Sequence, residues 1–129
     1  HNKAREEKGV KALQWDSILA SDAESHAKTM LQGGQLSHAE GLESHGESLF
    51  MQIGDATFDQ AVEKWLEEER FYNGEKAGEG DFLKWGHFSQ CVWYSTTHIG
   101  MGRAQAENGT TFIVARYSPA GNVKGEKPF

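Results

Sequence analysis

The sequence has one cysteine and two prolines in 129 residues, and its acidic residues outnumber its basic ones. The single Cys91 cannot close an intrachain disulfide, so packing alone must hold the fold, which favours a reducing compartment over a secreted one. A total of 13 Lys and Arg against 19 Asp and Glu gives a net charge of −6, which disfavours nonspecific binding to nucleic acid or to anionic lipid surfaces. No apolar run approaches the ~20 residues that cross a bilayer. The chain opens at His1 without methionine, which leaves open a leader peptide or a lipidation site upstream.

The sequence also lacks the short motifs of several enzyme classes. It contains no HExxH, no CxxC and no Gly-x-Ser-x-Gly, so the usual short signals of a zinc protease, a thiol site and a serine-hydrolase elbow are missing. Gly100-x-Gly102 is too short for a dinucleotide-binding loop. In contrast, four Trp, seven Phe and three Tyr supply enough large apolar side chains for one core. The length of the chain and its supply of core-forming side chains together predict a single domain over residues 1–129.

Three segments are predicted to form helices, the first of them short and polar. The first covers residues 1–9 and ends on a glycine, the residue that most often follows a helix. The second begins after the N-capping residue Asp16 and stops at the glycine pair 33–34. The third covers residues 57–74, opens with a Thr-x-x-Gln capping box and carries the clearest amphipathic pattern of the chain.

The last third of the chain predicts a β-hairpin. "ENGT", from Glu107 to Thr110, is an Asn-Gly turn. The arm before it contains Gly100 and Gly102, so we expect another element to approach its backbone closely. The arm after it, "TFIVARY", is apolar on both faces, which is typical of an inner strand covered on two sides, and Pro119 ends it. Helices first and an antiparallel hairpin last predict an α+β fold in layers.

Four positions carry residue types that could hold a metal ion or perform acid–base chemistry. They are His38 in "LSHAE", Glu47 in "HGESLF", Glu68 or Glu69 in the third helix, and His87 in "GHFSQ". On a helical wheel Glu69 projects into the apolar arc and Glu68 lies at its edge, so a carboxylate there must find a partner or reach a cleft. Imidazole and carboxylate suit zinc, and they suit a carboxylate-oriented general base equally well. Residue types alone also allow a third interpretation, in which His87 is a hydrogen-bonded core residue among aromatics.

Five blocks, spread over nearly the whole chain, occur in the order of a known family. They are "HNKAREEKGVKALQWDSILASDA", "HGESLF", "AVEKWLEEERFY", "GHFSQCVWYSTTHIGMGRA" and "FIVARYSPAGN". Together they resemble the CAP superfamily, which includes cysteine-rich secretory proteins, wasp-venom antigens and plant pathogenesis-related proteins. The resemblance implies an α–β–α sandwich, in which a small antiparallel sheet has helices on both faces. It also implies a cleft tetrad, able to hold a divalent metal, on His38, Glu47, Glu68 and His87, and it selects Glu68 over Glu69.

Some positions depart from the pattern of the family. Met101 and Ala115 stand where secreted members carry cysteines, so the likeness is closest to the disulfide-free Golgi-associated plant pathogenesis-related type, which "VARYSPAGNV" nearly matches. That likeness implies an intracellular protein at the cytosolic face of membranes, with secretion as the alternative. A serine proposed as a nucleophile in that branch falls on Ile53 here, which argues against a serine-hydrolase triad. Ser48 replaces the usual asparagine beside the first cleft glutamate.

From these features we expect a non-enzymatic protein that binds a lipid or a sterol and whose His/Glu cleft can hold a divalent metal such as zinc. The family also implies peripheral membrane association and homodimers, and nucleic acid is not an expected partner. One alternative is a zinc-dependent hydrolase, in which His38 and His87 would hold the metal and Glu47 or Glu68 would activate a water. The other alternative is a protein-interaction scaffold.

Overall fold

The computed structural model describes residues 2–33, 45–80 and 82–129. Its elements in chain order are α1 (Asn2–Glu7), β1 (Gln14–Trp15), α2 (Ser17–Gly33), β2 (Gly46–Ile53), α3 (Phe58–Leu66), a 3-10 helix (Glu67–Phe71), α4 (Phe82–Cys91), β3 (His98–Gln105) and β4 (Thr110–Ser118). Within those described ranges, no helix is both long enough and apolar enough to span a bilayer.

The capping signals of the sequence explain where the helices begin and end. Gly9 follows α1 with a φ of 73°, a left-handed conformation that glycine adopts without steric strain. The Asp16 carboxylate accepts hydrogen bonds from the backbone N–H groups of Ile18 (2.8 Å) and Leu19 (3.1 Å), the first donors of α2. The reciprocal Thr57–Gln60 capping box forms at the start of α3. The predicted starts of α2 and α3 and the predicted end of α1 are therefore confirmed.

The described strands form one sheet in the order β1–β3–β4–β2. β4 pairs antiparallel with β3 on one side and with β2 on the other, which confirms the predicted inner strand, while β1 adds a two-residue parallel pairing at the β3 edge. The hairpin turns at Gly109, which has a φ of 92° and donates to the Ala106 carbonyl at 2.9 Å. The sequence of β2 gave no strand signal, because its apolar and polar residues do not alternate between the buried and the exposed side. Ser48 is buried, whereas Met51 and Ile53 are exposed.

Helix α2 covers one face of the sheet and lies directly on the β3 backbone. A Cβ atom on Gly100 would lie 2.1 Å from the Ala20 nitrogen, and one on Gly102 would lie 2.1 Å from the Glu24 nitrogen. The close approach predicted from the glycine spacing is therefore confirmed. The buried side chains of this layer are Ala23, Ala27, Met30, Leu49, Ala104, Phe112 and Val114.

Helices α3 and α4 pack with the larger core cluster, which includes residues of the opposite face of the sheet. Its buried residues are Leu13, Ala56, Ala61, Trp65, Phe88, Cys91, Val92, Ile99, Met101, Ile113, Ala115 and Tyr117. Met101 and Ala115 lie directly opposite each other on β3 and β4, so two apolar side chains pack where the resemblance places the cysteines of secreted members. Burial raises the pKa of the Cys91 thiol to about 12, which keeps it protonated and unreactive. Helices on both faces of a small, mostly antiparallel sheet confirm the predicted α–β–α sandwich.

A buried arginine ties α1 to the rest of the fold. Arg5 is 0% exposed, and burial lowers the pKa of its guanidinium. The guanidinium donates to the backbone carbonyls of Lys11 (2.6 Å), Cys91 (3.2 Å), Trp93 (2.9 Å) and Thr96 (2.9 Å). Since three of these carbonyls lie at the C-terminal end of α4 and in the loop after it, the cation also interacts favourably with the negative end of that helix.

Candidate functional site

The two glutamates of the third predicted helix are separated by a change of helix type. α3 ends at Leu66 and the chain continues as a 3-10 helix over Glu67–Phe71, so the prediction of one α-helix over this whole segment is wrong. The tighter winding, about 3 residues per turn instead of about 3.6, rotates the side chains away from the ideal wheel. Glu69, which the wheel directs inward, is exposed and pairs with Lys8, whereas Glu68 reaches α4.

Both carboxylate oxygens of Glu68 are hydrogen bonded to α4. Oε1 accepts from the backbone N–H groups of His87 (2.8 Å) and Phe88 (3.1 Å). Oε2 lies 2.8 Å from Nδ1 of the His87 ring. Because an ionised carboxylate only accepts hydrogen bonds, Nδ1 carries a hydrogen in this pair, and Nε2 is the ring nitrogen that remains for another partner.

The His87 ring is also held by an aromatic contact. It stacks on the Trp65 indole with a centroid distance of 6.2 Å and an interplanar angle of 19°. Its side chain is nevertheless 38% exposed and lines a pocket, so the interpretation of His87 as a core residue is wrong. A ring fixed through Nδ1 and through one face is suited to binding through Nε2.

Glu47 lies on β2 in a different environment. The register of the sheet places it directly opposite Arg116 on β4, and Arg116 Nε donates to Glu47 Oε2 at 3.2 Å. The two side chains are only 1% and 11% exposed, so this ion pair is largely removed from water. A charge buried to this extent needs its partner, because desolvation of an unpaired carboxylate costs several kcal/mol.

The pocket beside these residues has a volume of about 310 Å³. It is lined by Glu47, Ser48, Phe82, Leu83, Gly86, His87 and Asn122. The segment after β4 supplies Asn122, whose side chain donates to the Gly86 carbonyl at 2.9 Å and accepts from the Ser89 hydroxyl. A second hollow of about 470 Å³ shares Phe82 and Leu83 with the first.

The structure brings some of the predicted site residues together. Glu47 and His87 line one pocket, Glu68 contacts His87, and His38 lies outside the described residues. Across residues 2–33, 45–80 and 82–129, no three His, Cys, Asp or Glu side chains are grouped to hold one ion, so the described part of the tetrad does not form a metal site alone. Ile53, at the position of the proposed serine, is 86% exposed and does not line this pocket.

Sequence reasoning missed three residues that line the pocket. Asn122 stood in the block "FIVARYSPAGN", but nothing in that block indicated that its amide would fix the α4 backbone. Phe82 and Leu83 gave no signal, because two adjacent apolar residues at the start of a helix are typical of a core.

Known proteins resemble this chain over its whole length. Pathogenesis-related protein 1A of Nicotiana tabacum is 34% identical over 130 residues, which cover 100% of this chain and 76% of that protein. Pathogenesis-related leaf protein 4 of Solanum lycopersicum is 36% identical over 129 residues, which cover 100% of this chain and 79% of that protein.

The fold has solved counterparts. The crystal structure of NaASP2 with Zn2+ superposes with a TM-score of 0.78 at 24% identity. The match covers 93% of this chain and 66% of NaASP2, just under two thirds of that protein. The family model described as "Cysteine-rich secretory protein family" matches residues 1–117. With relatives of more than 30% identity along its full length, this chain belongs to the CAP family.

Proposed function

We propose that the protein binds a lipid or a sterol, without catalysing a reaction, in the hollow that extends from His87 to Leu83. The observation that supports this most directly is that Phe82 and Leu83 line both the 310 Å³ and the 470 Å³ hollow, which makes them an apolar connection between the two. Each hollow lies within the range of about 300–1,000 Å³ that small-molecule sites occupy.

The two ends of this hollow differ in polarity, as an amphiphilic ligand requires. At one end Ser48, His87 and Asn122 make the lining polar, and Nε2 of His87 is the ring nitrogen that remains for a ligand. At the other end Leu83 is 92% exposed and lies beside Gly78 and Gly80. Lys84 is the charged residue of that lining. A ligand hydroxyl or carbonyl fits the first end and a hydrocarbon chain or ring fits the second, while the net charge of −6 makes binding by overall charge unfavourable.

Leu83→Ser tests this proposal at a position that contributes nothing to the core. Dehydroergosterol, oleate and phosphatidylinositol are titrated against the wild type and the variant, with ligand or tryptophan fluorescence as the readout. Loss of one leucine contact weakens binding by about 10-fold or more, since burying a leucine contributes roughly 1.5–3 kcal/mol. Ile53→Ser is the matched control, because Ile53 is similarly exposed and lines neither hollow. Failure of all three lipids to bind saturably would refute the proposal.

We also propose that the pocket takes up a divalent metal. The support is the chemistry of the donors: a histidine whose Nδ1 is held by a carboxylate is a common metal ligand, and Glu68 holds His87 in this way. Glu47 and the predicted ligand His38 would complete the set, and zinc bound there would act as a Lewis acid. NaASP2 was crystallised with Zn2+, which makes zinc the first ion to test.

The zinc-dependent hydrolase is the alternative that one observation favours. The Glu68–His87 contact of 2.8 Å orients an imidazole as a general base requires. Hydrolysis of p-nitrophenyl acetate that requires ZnCl2 and is lost in His87→Ala, with unchanged circular dichroism, would replace the binding proposal by this one. Zinc binding without turnover would leave the binding proposal in place.

Location and assembly are further parts of the proposal. We infer an intracellular protein at the cytosolic, Golgi-like face of membranes, with secretion as the alternative, because its single thiol is buried and no second cysteine is present. Fractionation of cells that express the chain with its native flanking sequence tests this. Light scattering tests the proposed homodimer, and the protein-interaction scaffold gains support only if a partner binds where lipids do not.

A further inference from the structure

The chain contains two Asn-Gly pairs that local chemistry alone does not distinguish. Asn73-Gly74 follows the 3-10 helix, and Asn108-Gly109 lies in the turn between β3 and β4. Both residues of each pair are exposed, and the two glycines have left-handed φ values of 89° and 92°. A Cβ atom on either glycine would meet nothing within 4 Å. Exposure, glycine conformation and free space are therefore the same for the two pairs.

Hydrogen bonds hold the pair in the β3–β4 turn. The backbone N–H of Gly109 donates to the Ala106 carbonyl at 2.9 Å. The side-chain oxygen of Asn108 accepts from the backbone N–H of Thr110 at 3.0 Å, and Ala106 N–H donates to the Thr110 carbonyl at 2.8 Å. Both the asparagine side chain and the following backbone nitrogen are thus engaged, so the turn has to open before these two groups can react with each other.

The pair after the 3-10 helix is held differently. The backbone N–H of Asn73 donates to Glu75 Oε1 at 2.7 Å, a bond that involves neither the Asn73 side chain nor the Gly74 nitrogen. Within residues 2–33, 45–80 and 82–129, no group is hydrogen bonded to the Asn73 side-chain amide or to the Gly74 N–H. The two groups that react in an Asn-Gly pair are therefore available at this position.

We propose that Asn73 is a site of spontaneous deamidation and that the β3–β4 turn protects Asn108 from the same reaction. The Gly74 backbone nitrogen attacks Cγ of Asn73, so that an N–Cγ bond forms and the Cγ–Nδ2 bond breaks. Ammonia leaves with the proton of the backbone N–H. Water then opens the five-membered imide at either carbonyl, which leaves aspartate or isoaspartate at position 73. Since water is the only co-reactant, the reaction depends on neither the proposed ligands nor the proposed location.

The product changes the loop between the 3-10 helix and α4. It adds a negative charge close to Glu75, and the isoaspartyl form lengthens the backbone by one atom. Ala77 is anchored beyond this point, because its backbone makes hydrogen bonds of 2.8 and 3.0 Å to the segment after β4. Gly78 and Gly80, which line the 470 Å³ hollow, follow that anchor. We therefore expect the change to stay within residues 73–76.

Incubation of the folded protein at pH 7.4 and 37 °C, followed by peptide mass spectrometry, tests the inference. Aliquots are acidified before digestion, and isoaspartate is identified by enzymatic methyl transfer. We expect Asn73 to deamidate about 10-fold or more faster than Asn108. That ratio corresponds to about 1.4 kcal/mol of barrier, the order of one net hydrogen bond. Equal rates, a faster Asn108 or an unmodified Asn73 would overturn the inference.

The same incubation in concentrated urea is the control that needs no variant. Unfolding removes the hydrogen bonds of the turn, so the two asparagines should then react at similar rates. A ratio that stays unchanged in urea would show that the neighbouring sequence and not the fold protects Asn108, and would also overturn the inference. Asn73→Gln should abolish the fast release of ammonia, whereas the matched Asn108→Gln should leave it unchanged. Failure of lipids to bind refutes only the lipid proposal, because no ligand takes part in this test.

Discussion

Replacing Arg5 by methionine tests what holds the N-terminal helix to the fold. Methionine keeps an unbranched apolar side chain of similar length but removes every N–H donor. Three buried carbonyls, on Cys91, Trp93 and Thr96, then lose the charged donor that now lies within 3.2 Å of each. Among the residues that the structure describes, no second cation donates to these carbonyls, so the loss falls on α1 and the end of α4 together.

The size of the effect follows from these contacts. Each hydrogen bond to a charged group contributes roughly 1.5–3 kcal/mol, and a buried carbonyl left without a donor adds a desolvation penalty. The desolvation of the guanidinium itself, which lowers its pKa, disappears in the variant and offsets part of this loss. We therefore expect the free energy of unfolding to fall by about 3–5 kcal/mol, out of the total of about 5–15 kcal/mol that is typical of a domain.

Urea unfolding at pH 7, followed by the fluorescence of the four tryptophans, measures this change. With a slope of about 1–3 kcal/mol per molar urea, the midpoint of Arg5→Met should fall by at least about 1 M. Arg5→Lys should lie between wild type and Arg5→Met, because it keeps the charge but not the fork of donors. Arg70→Met is the control, since Arg70 is exposed over the Phe71 ring. A loss below about 1 kcal/mol in Arg5→Met, with an unchanged slope, would refute the reasoning.

Gly102→Ala should lower the free energy of unfolding by about 3 kcal/mol in the same assay, because its Cβ would lie 2.1 Å from the backbone nitrogen of Glu24; a neutral effect would contradict the packing of α2. Cys91 should not react with a thiol reagent at pH 8 until urea unfolds the protein. The pKa of this thiol is about 12 in the folded state and near its usual 9.0 in the unfolded chain, so the protonated thiol favours folding below pH 9. The free energy of unfolding should therefore fall between pH 9 and 12, by up to about 1.4 kcal/mol per pH unit. In a Cys91→Ala background, Met101→Cys with Ala115→Cys should be about 3 kcal/mol more stable oxidised than reduced, since the two residues face each other across β3 and β4; failure to oxidise would contradict that pairing.

The parts of the fold that could be predicted from the sequence are those that local chemistry decides. The two-sided apolar run before Pro119 predicted a central strand, and Gly100 and Gly102 predicted a close helix, because each pattern has one common structural cause. β2 could not be predicted in this way. Its buried Ser48 and exposed Met51 reflect its place at the edge of the sheet, which pairing with β4 determines and local preference does not.

The candidate site was harder to predict because its residues meet through tertiary contacts. An ideal wheel favoured Glu69 over Glu68, and it failed because the chain tightens into a 3-10 helix after Leu66. The resemblance to the CAP family selected Glu68, which the structure places against α4. The pairing of Glu47 with Arg116 links residues 69 positions apart and had no sequence signal at all.

Binding and stability are coupled at this site, because helix α4 belongs to both the pocket and the core. Glu68 holds the His87 backbone, Asn122 holds the Gly86 carbonyl, and Arg5 holds the C-terminal end of the same helix. A variant at any of these positions is expected to destabilise the helix that carries His87, so weaker ligand binding in that variant does not identify a ligand contact. Leu83 differs, because its side chain is 92% exposed and none of these hydrogen bonds involves it. A change of affinity in Leu83→Ser at unchanged stability therefore reports on the ligand itself.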